Sequence, residues 1–192
     1  PARMMARVRD VVGDDAIYVI DGGDTSYFGL TTFRAIEKGG VIGAAGGQFG
    51  CLGTGIPFAM AAKAARPDKQ VVVINGDGSF GLNAMEFDTA VRHNLPFVCI
   101  INNDCAWGMI KHGQELCYGD DRVCGSELGV VHYEKMAEAL GGYGEFVERD
   151  EDIAPAVQRA LASGKPACIN VMTDPCVVSL ATMQFVEGFK ME

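Results

Sequence analysis

Two apolar runs, each closed by a polar turn and separated by an amphipathic stretch, constrain this chain more than any other feature. Val71-Val72-Val73-Ile74 is a short β-branched segment of the kind found in parallel strands covered on both faces. Gly76-Asp77-Gly78-Ser79-Phe80 follows it. Asn83 to His93 then reads as a crossover helix, with Leu82, Met85 and Ala90 among the apolar residues of its buried stripe. Phe97-Val98-Cys99-Ile100-Ile101 is the second run, ended by Asn102-Asn103-Asp104. A right-handed β–α–β crossover makes the two strands parallel, so Asp77 and Asn103/Asp104 emerge at one carboxyl edge, where open α/β sheets bind ligands. Gly-Asp-Gly-Ser alone is a common turn sequence; two such turns at this spacing make a ligand site the better reading.

The rest of the chain repeats the alternation. Met4 to Val12 reads as a helix, Ala16 to Ile20 as a strand, and Asp21-Gly22-Gly23-Asp24-Thr25 as a turn. Eight glycines fall in the seventeen positions from Gly39 to Gly55, and Pro57 to Ala65 is alanine-rich and helical. Lys111 to Gly129 has mixed polarity and no clear period, which predicts a mobile loop beside the site. Tyr133–Leu140 and Asp152–Ala162 read as helices, Gly144–Val147 and Ala167–Met172 as strands, and the tail from Asp174 as irregular or helical. The expected fold class is α/β: a doubly wound, mostly parallel sheet of about six strands with helices on both faces, in one domain spanning residues 1–192.

Composition narrows the function. The chain is 48% hydrophobic, has 25 glycines and only 21% charged residues, which suits a sheet covered on both faces. A net charge of −9 argues against a nucleic-acid partner, which needs a basic face. An anionic ligand would have to be held by backbone N–H groups and a metal rather than by a lysine cluster. The seven cysteines include no Cys-x-x-Cys, so small buried thiols in a reducing cytoplasm are expected rather than a disulfide framework. No apolar run reaches the roughly 18 residues of a membrane helix. The start, Pro1-Ala2-Arg3-Met4-Met5, has no apolar signal core and no initiator methionine, so a fragment or processed product is expected.

With these residues in view, the whole chain resembles the C-terminal, diphosphate-binding domain of the acetolactate synthase-like thiamine diphosphate enzymes. The likeness is strongest in Gly50–Pro57, Gly76–Pro96 and Asn102–Met109. It implies thiamine diphosphate and Mg²⁺ as cofactors, with Asp77 as the first metal ligand. The second ligand is nominally Asn103. If Trp107-Gly108 is aligned without a gap to the family's similar pair, Asp104 takes that place and Ala106 supplies the carbonyl ligand. Mg²⁺ accepts either a carboxylate or an amide oxygen. The resemblance also assigns diphosphate and cofactor contacts to Gly23, Asp24, Thr25, Gly76, Gly78, Ser79, Trp107, Gly108 and Met109. The plain alternative for the Gly22–Thr25 turn is a strand-to-helix loop capped by Asp24. Gly50-Cys51-Leu52-Gly53-Thr54-Gly55 resembles the segment that holds the aminopyrimidine ring, Gly50 accepting from its amino group and Leu52 acting as the apolar wedge. These glycines do not fit a dinucleotide fingerprint.

The resemblance implies action on small 2-keto acids by decarboxylation and carboligation, in the cytoplasm, by a homo-oligomer (dimer or tetramer). The activating glutamate of such enzymes belongs to a pyrimidine-binding domain, in cis or on a partner subunit, that nothing here resembles. The chain is therefore expected to be the C-terminal third of a longer enzyme, to carry no catalytic residue of its own, and to be inactive alone. Gly108-Met109-Ile110-Lys111-His112-Gly113-Gln114-Glu115-Leu116 resembles an acetolactate synthase segment but has Gly113 where that family has a tryptophan. A thiamine-dependent C–C lyase or decarboxylase of the benzaldehyde lyase kind, or a non-catalytic cofactor-binding module, therefore stays open. The three histidines carry no motif, and only His112, in the mobile loop, is a candidate for a place near substrate.

Overall fold

The computed structural model describes residues 1–43 and 49–190, the side chains of the last two excepted. Gly46 and Gly47 of the glycine-rich stretch lie outside the described residues.

Six strands form one sheet in the order β2-β1-β3-β4-β6-β5, every pairing parallel. In chain order they are β1 (Ile17–Asp21), β2 (Val41–Gly43), β3 (Val71–Gly76), β4 (Val98–Asn103), β5 (Tyr143–Val147) and β6 (Ala167–Met172). The helices are α1 (Ala2–Val12), α2 (Asp24–Thr32), α3 (Gly55–Ala65), α4 (Asp77–Asn83), α5 (Glu86–Arg92), α6 (Gly108–Tyr118), α7 (Tyr133–Ala139), α8 (Asp150–Ser163) and α9 (Leu180–Lys190).

Because successive strand residues face opposite sides, the near-continuous apolar strands feed two cores. On one face Tyr18, Ile20, Val72, Ile74, Ile100 and Ile169 pack with Met5 and Val8 of α1 and Val157 of α8. On the other Val19, Val73, Cys99, Ile101 and Cys168 pack with Ile56 of α3, Phe80 of α4, Phe87 of α5 and Ala137 of α7. Each buried aliphatic side chain here stabilises the fold by about 1.5–3 kcal/mol. Truncating one, such as Ile74→Ala, costs about 2–5 kcal/mol. Strand order reverses direction at β1, with β2 on one side and β3 on the other. That switch point opens a crevice between the carboxyl ends of β1 and β3.

The structure departs from the sequence reading in four places. The crossover starts at Asp77 rather than Asn83 and breaks into α4 and α5 around Ala84 and Met85. Phe80, Ala84 and Phe87, spaced four and three residues apart, share the buried face, while Leu82 and Met85 lie off it and are 54% and 61% exposed. Lys111 to Gly129 is not simply a loop: α6 reaches Tyr118 and a 3₁₀ turn covers Asp120–Arg122. Its buried contact is the polar His112, which is why no apolar period marked it. Strand β2 was missed because three residues beside a glycine-rich stretch carry no periodic signal. All seven cysteines are free, yet only Cys99 and Cys168 are buried, side by side across β4 and β6.

Candidate functional site

Three strand ends deliver three turns into one cleft of about 300 Å³. Gly22, Gly23, Asp24, Thr25 and Tyr27 come from the end of β1 and the start of α2. Gly76, Asp77, Gly78 and Ser79 come from the end of β3, and Asp104, Ala106, Trp107, Gly108, Met109 and Ile110 from the β4–α6 turn. Gly50 and Leu52 complete the lining from the segment before α3. Every cofactor-contact residue expected from the sequence thus lies on this cleft. Asp77, Asp104 and Ala106 line it as well; Asn103 does not.

Close approach explains the glycines better than flexibility does. A Cβ on Gly78 would stand 2.6 Å from the Trp107 ring, and one on Gly23 would stand 2.7 Å from Met109. A Cβ on Gly108 would collide with the Asp104 carboxylate. These glycines let the three turns pack edge to edge, so the cleft is built by their mutual contact. Leu52's segment is held from below: Asn83 Nδ2 donates to the Gly53 carbonyl at 2.6 Å, and the Gly55 N–H donates to Asp21 Oδ2 at 2.8 Å.

Asp77, the first residue of α4, is 2% exposed. Its Oδ1 accepts the Gly78 N–H at 2.8 Å and its Oδ2 accepts the Ala106 N–H at 3.1 Å. The second bond joins the β3 turn to the β4 turn. Cys105, between Asp104 and Ala106, adopts φ 61, a left-handed conformation that costs a non-glycine residue about 1–3 kcal/mol. That reversal sets Ala106 against Asp77. Burial, with the neighbouring Asp104 charge, raises the Asp77 carboxyl to about 7. Burial raises Asp104 as well. Two half-desolvated carboxyls facing one cleft favour a cation between them, since hard oxygen donors suit Mg²⁺ or Ca²⁺. Among the described residues no group of three or more His, Cys, Asp or Glu side chains could hold a metal alone. A cation here would need further oxygens from the backbone and from a ligand.

Asn103 is committed elsewhere. Its Nδ2 donates to Asn170 Oδ1 at 2.9 Å and its Oδ1 accepts the Cys105 N–H at 3.1 Å. Asn170 in turn donates to Glu134 Oε2 at 2.9 Å, and Glu134 Oε1 meets His132 Nδ1 at 2.8 Å. This buried network ties β4, β6 and α7 together below the site.

On the β1 side, Asp24 does not cap its helix. Its Oδ2 lies 2.7 Å from His112 Nδ1, and its Oδ1 accepts Ser179 Oγ–H at 2.5 Å and the Thr182 hydroxyl. Burial pushes this carboxyl up, but the three hydrogen bonds outweigh it and hold it below the ordinary range. Ser179 and Thr182 carried no motif, and only the folded chain brings the C-terminal segment to β1. His112, expected near substrate from a loop, is instead 1% exposed within α6.

A parallel α/β sheet whose switch-point cleft combines backbone turns at helix amino ends with a carboxyl pair has the form of a ligand site at the carboxyl edge of an open α/β sheet. Comparison with known proteins makes this specific. The family model of the thiamine pyrophosphate enzymes' C-terminal, TPP-binding domain matches residues 21–171, and the chain belongs to that family. It is 44% identical over 180 residues to the acetolactate synthase large subunit IlvG of Mycobacterium tuberculosis, covering 92% of this chain and 32% of that protein. It is 33% identical over 177 residues to human 2-hydroxyacyl-CoA lyase 2, covering 90% of this chain and 27% of that one. A solved structure, the thiamine diphosphate-dependent 4-hydroxybenzoylformate decarboxylase of Rhodococcus jostii RHA1, superposes with a TM-score of 0.81 at 31% identity, covering 91% of this chain and 32% of that chain. The chain thus spans about a third of the length of these relatives. It is a thiamine diphosphate-binding domain of thiamine diphosphate-dependent enzymes.

Proposed function

We infer that the cleft binds Mg²⁺ together with the diphosphate of thiamine diphosphate, as part of an acetolactate synthase-like enzyme acting on small 2-keto acids. The observation that carries this is the meeting of three turns on one cleft with Asp77, Asp104 and the Ala106 backbone on one wall. In this reading Asp77 and Asp104 ligate the cation through side-chain oxygens and Ala106 through its carbonyl. The first-turn N–H groups of α2 face the diphosphate oxygens, as helix amino ends favour anions. Gly50 and Leu52 take the aminopyrimidine end. Once bound, the cofactor supplies a carbon nucleophile and an electron sink for cleaving or joining C–C bonds. This chain's part is to hold, orient and desolvate it.

No glutamate lines the cleft among the described residues. In this reading the activating carboxylate belongs to a pyrimidine-binding domain in cis or on a partner subunit, the assembly is a homo-oligomeric dimer or tetramer, and this chain alone gives no turnover. Exposed apolar residues such as Phe49 (92%) and Ile110 (57%) fit a docking role. The free thiols fit a cytoplasmic enzyme, and among the described residues no helix is long and apolar enough to cross a membrane.

One observation favours a second reading, C–C lysis of a bulkier 2-hydroxyacyl or 2-keto substrate. A Cβ on Gly113 would meet nothing within 4 Å. Gly113 opens on a cavity of about 550 Å³ between α6 and α9, lined by Met109, Ile110, Cys117 and Val186 among others. Titration calorimetry of thiamine diphosphate with and without Mg²⁺ tests the binding reading. Expected is cofactor binding that requires Mg²⁺ and disappears in Asp77→Ala; unchanged affinity in that variant overturns it. Pyruvate turnover, assayed on the chain alone and again with the N-terminal segment added, tests the missing glutamate. Clear turnover by the chain alone overturns that part.

A further inference from the structure

His112 sits mid-way along α6 with both ring nitrogens occupied. Nε2 is 2.8 Å from the Pro175 carbonyl oxygen, which can only accept, so Nε2 carries a hydrogen. Nδ1 is 2.7 Å from Asp24 Oδ2. One proton lies in that contact, and it belongs to the stronger base. Asp24 already accepts from the hydroxyls of Ser179 and Thr182, which favours its ionised form, so the proton stays on the imidazole. The result is a buried imidazolium–carboxylate pair linking the amino end of α2, the middle of α6 and the segment leading into α9. α6 is also pressed onto α2 at Met109 and Gly23.

We propose that His112 is a positioning residue that acts through Asp24: as an imidazolium it neutralises the Asp24 carboxylate and binds it to the Pro175–Thr182 segment. The amino end of α2 then stays attractive to the diphosphate, and the C-terminal segment is fastened to the cofactor cleft. The proposal rests on the cleft being a diphosphate site. An unneutralised Asp24 at that end would repel the anion across a partly desolvated gap, where like charges act strongly. The hydrogen bond that His112 donates to Asp24 raises its imidazole above the ordinary range, in the direction required. Asp104 is the other carboxylate acting on the ring. On α6 itself Lys111 is spent on Glu127 and Glu115, and Asp174 accepts the Cys176 N–H. Among the described residues the only ion pair of Asp24 is with His112.

Two measurements decide the matter. The first is ¹⁵N NMR of the cofactor-free chain, with the His112 signals assigned through His112→Gln. Both ring nitrogens are expected to carry hydrogen at pH 7, the proton leaving only above the ordinary value of about 6.5. A singly protonated ring at pH 6 overturns the proposal. The second is a cycle of His112→Gln, Asp24→Asn and the double variant, read as Mg²⁺-dependent thiamine diphosphate affinity. His112→Gln, which strands the carboxylate, is expected to weaken binding about tenfold, within the range for coupled neighbours. Asp24→Asn/His112→Gln, an amide pair without charge, is expected to recover most of it. Additive losses overturn the proposal and leave His112 a scaffold residue only. If His112→Gln does not fold, the ring titration in Asp24→Asn takes its place: a fall toward the ordinary value supports the pairing, and no change overturns it. A parent chain that binds no cofactor would refute the diphosphate reading, and the ring titration would still decide the protonation of His112.

Discussion

Asp24 and Asp77 follow neighbouring strands, β1 and β3, and line the same cleft, yet their carboxyls are treated in opposite ways. Asp24 is supplied with an imidazole and two hydroxyls and is held below the ordinary range. Asp77 receives only two backbone N–H groups, faces a second carboxylate, and is pushed up to about 7. The β1 wall is electrostatically finished by the chain itself, whereas the β3–β4 wall holds two carboxyls that burial raises and that form no ion pair among the described residues. A protein bears such a cost where something outside it completes the charge balance. In the proposed reading, this contrast assigns the cation to one wall and the anion to the other.

The largest effect that would break this contrast is at Asp77. Asp77→Ala should lower Mg²⁺-dependent cofactor affinity by at least about 100-fold, because even outer partners of a metal ligand contribute roughly 10–100-fold. Its melting temperature without metal should change little, because relief of the buried carboxyl pair offsets the Gly78 and Ala106 N–H groups left without an acceptor. Calorimetry and a thermal melt on one sample read both.

The next separates Asp104 from Asn103. Asp104→Ala should cost much more metal affinity than Asn103→Ala, and Asp104→Asn should be tolerated because an oxygen remains. Asn103→Ala should instead lower stability by about 1–3 kcal/mol, because Asn170 and the Cys105 N–H lose their partner. A metal affinity that falls more in Asn103→Ala than in Asp104→Ala would reverse the assignment.

A third expectation sets the two walls against each other in pH. An unfolded aspartate titrates near about 3.9. Asp77 keeps its proton in the metal-free fold up to about 7. Between those values the unfolded state binds fewer protons, so this group's contribution falls as pH rises through the window and is fully lost above it. Asp24, held low, contributes the opposite way: its stabilisation is present above about 3.9 and is lost as pH falls. Urea unfolding at a series of pH values should therefore show Asp77→Asn removing a loss toward neutral pH. Asp24→Asn should remove a loss toward acid. The same sign for both variants would erase the contrast.

The smallest expected effect tests whether α6 is a settled helix. Gly113 lies inside it with open space where a Cβ would go. Gly113→Ala should stabilise the chain by about 0.5–1 kcal/mol. Destabilisation would mean that the segment is not helical in solution.

How far each wall could be read from the sequence follows the same division. Asp77 and the Asn103/Asp104 turn were legible because both close apolar β-branched runs, so strand and turn announce each other locally. The choice between Asn103 and Asp104 was not legible, because it depends on Asn170, which lies on another strand. The Asp24 wall was legible only as a turn. Its chemistry joins residues 24, 112, 179 and 182, which no spacing rule connects. The α6 face is marked by a buried histidine rather than by a leucine stripe, so hydrophobic periodicity had nothing to detect. Similarly, the face of the crossover that is buried runs through Phe80, Ala84 and Phe87 and begins before the stretch whose apolar residues, Leu82 and Met85, suggest a stripe.

The packing of α1 against α8 has a bearing on how the chain acquires its shape. Met5 and Val8 share a core with Val157, and Arg7 reaches Asp150 at 3.0 Å. The first helix of this chain is thus matched to one of its last, and β6 must insert between β4 and β5 before the sheet is continuous. Closure waits for residues near the far end of the domain, and long sequence separations slow such pairing. During synthesis α1 and the β1 edge are exposed for most of the chain's emergence, a period in which unpaired parallel strands are prone to aggregate. Truncation before Asp150 would leave that early half without the helix that packs on α1 and the strand that pairs with β4.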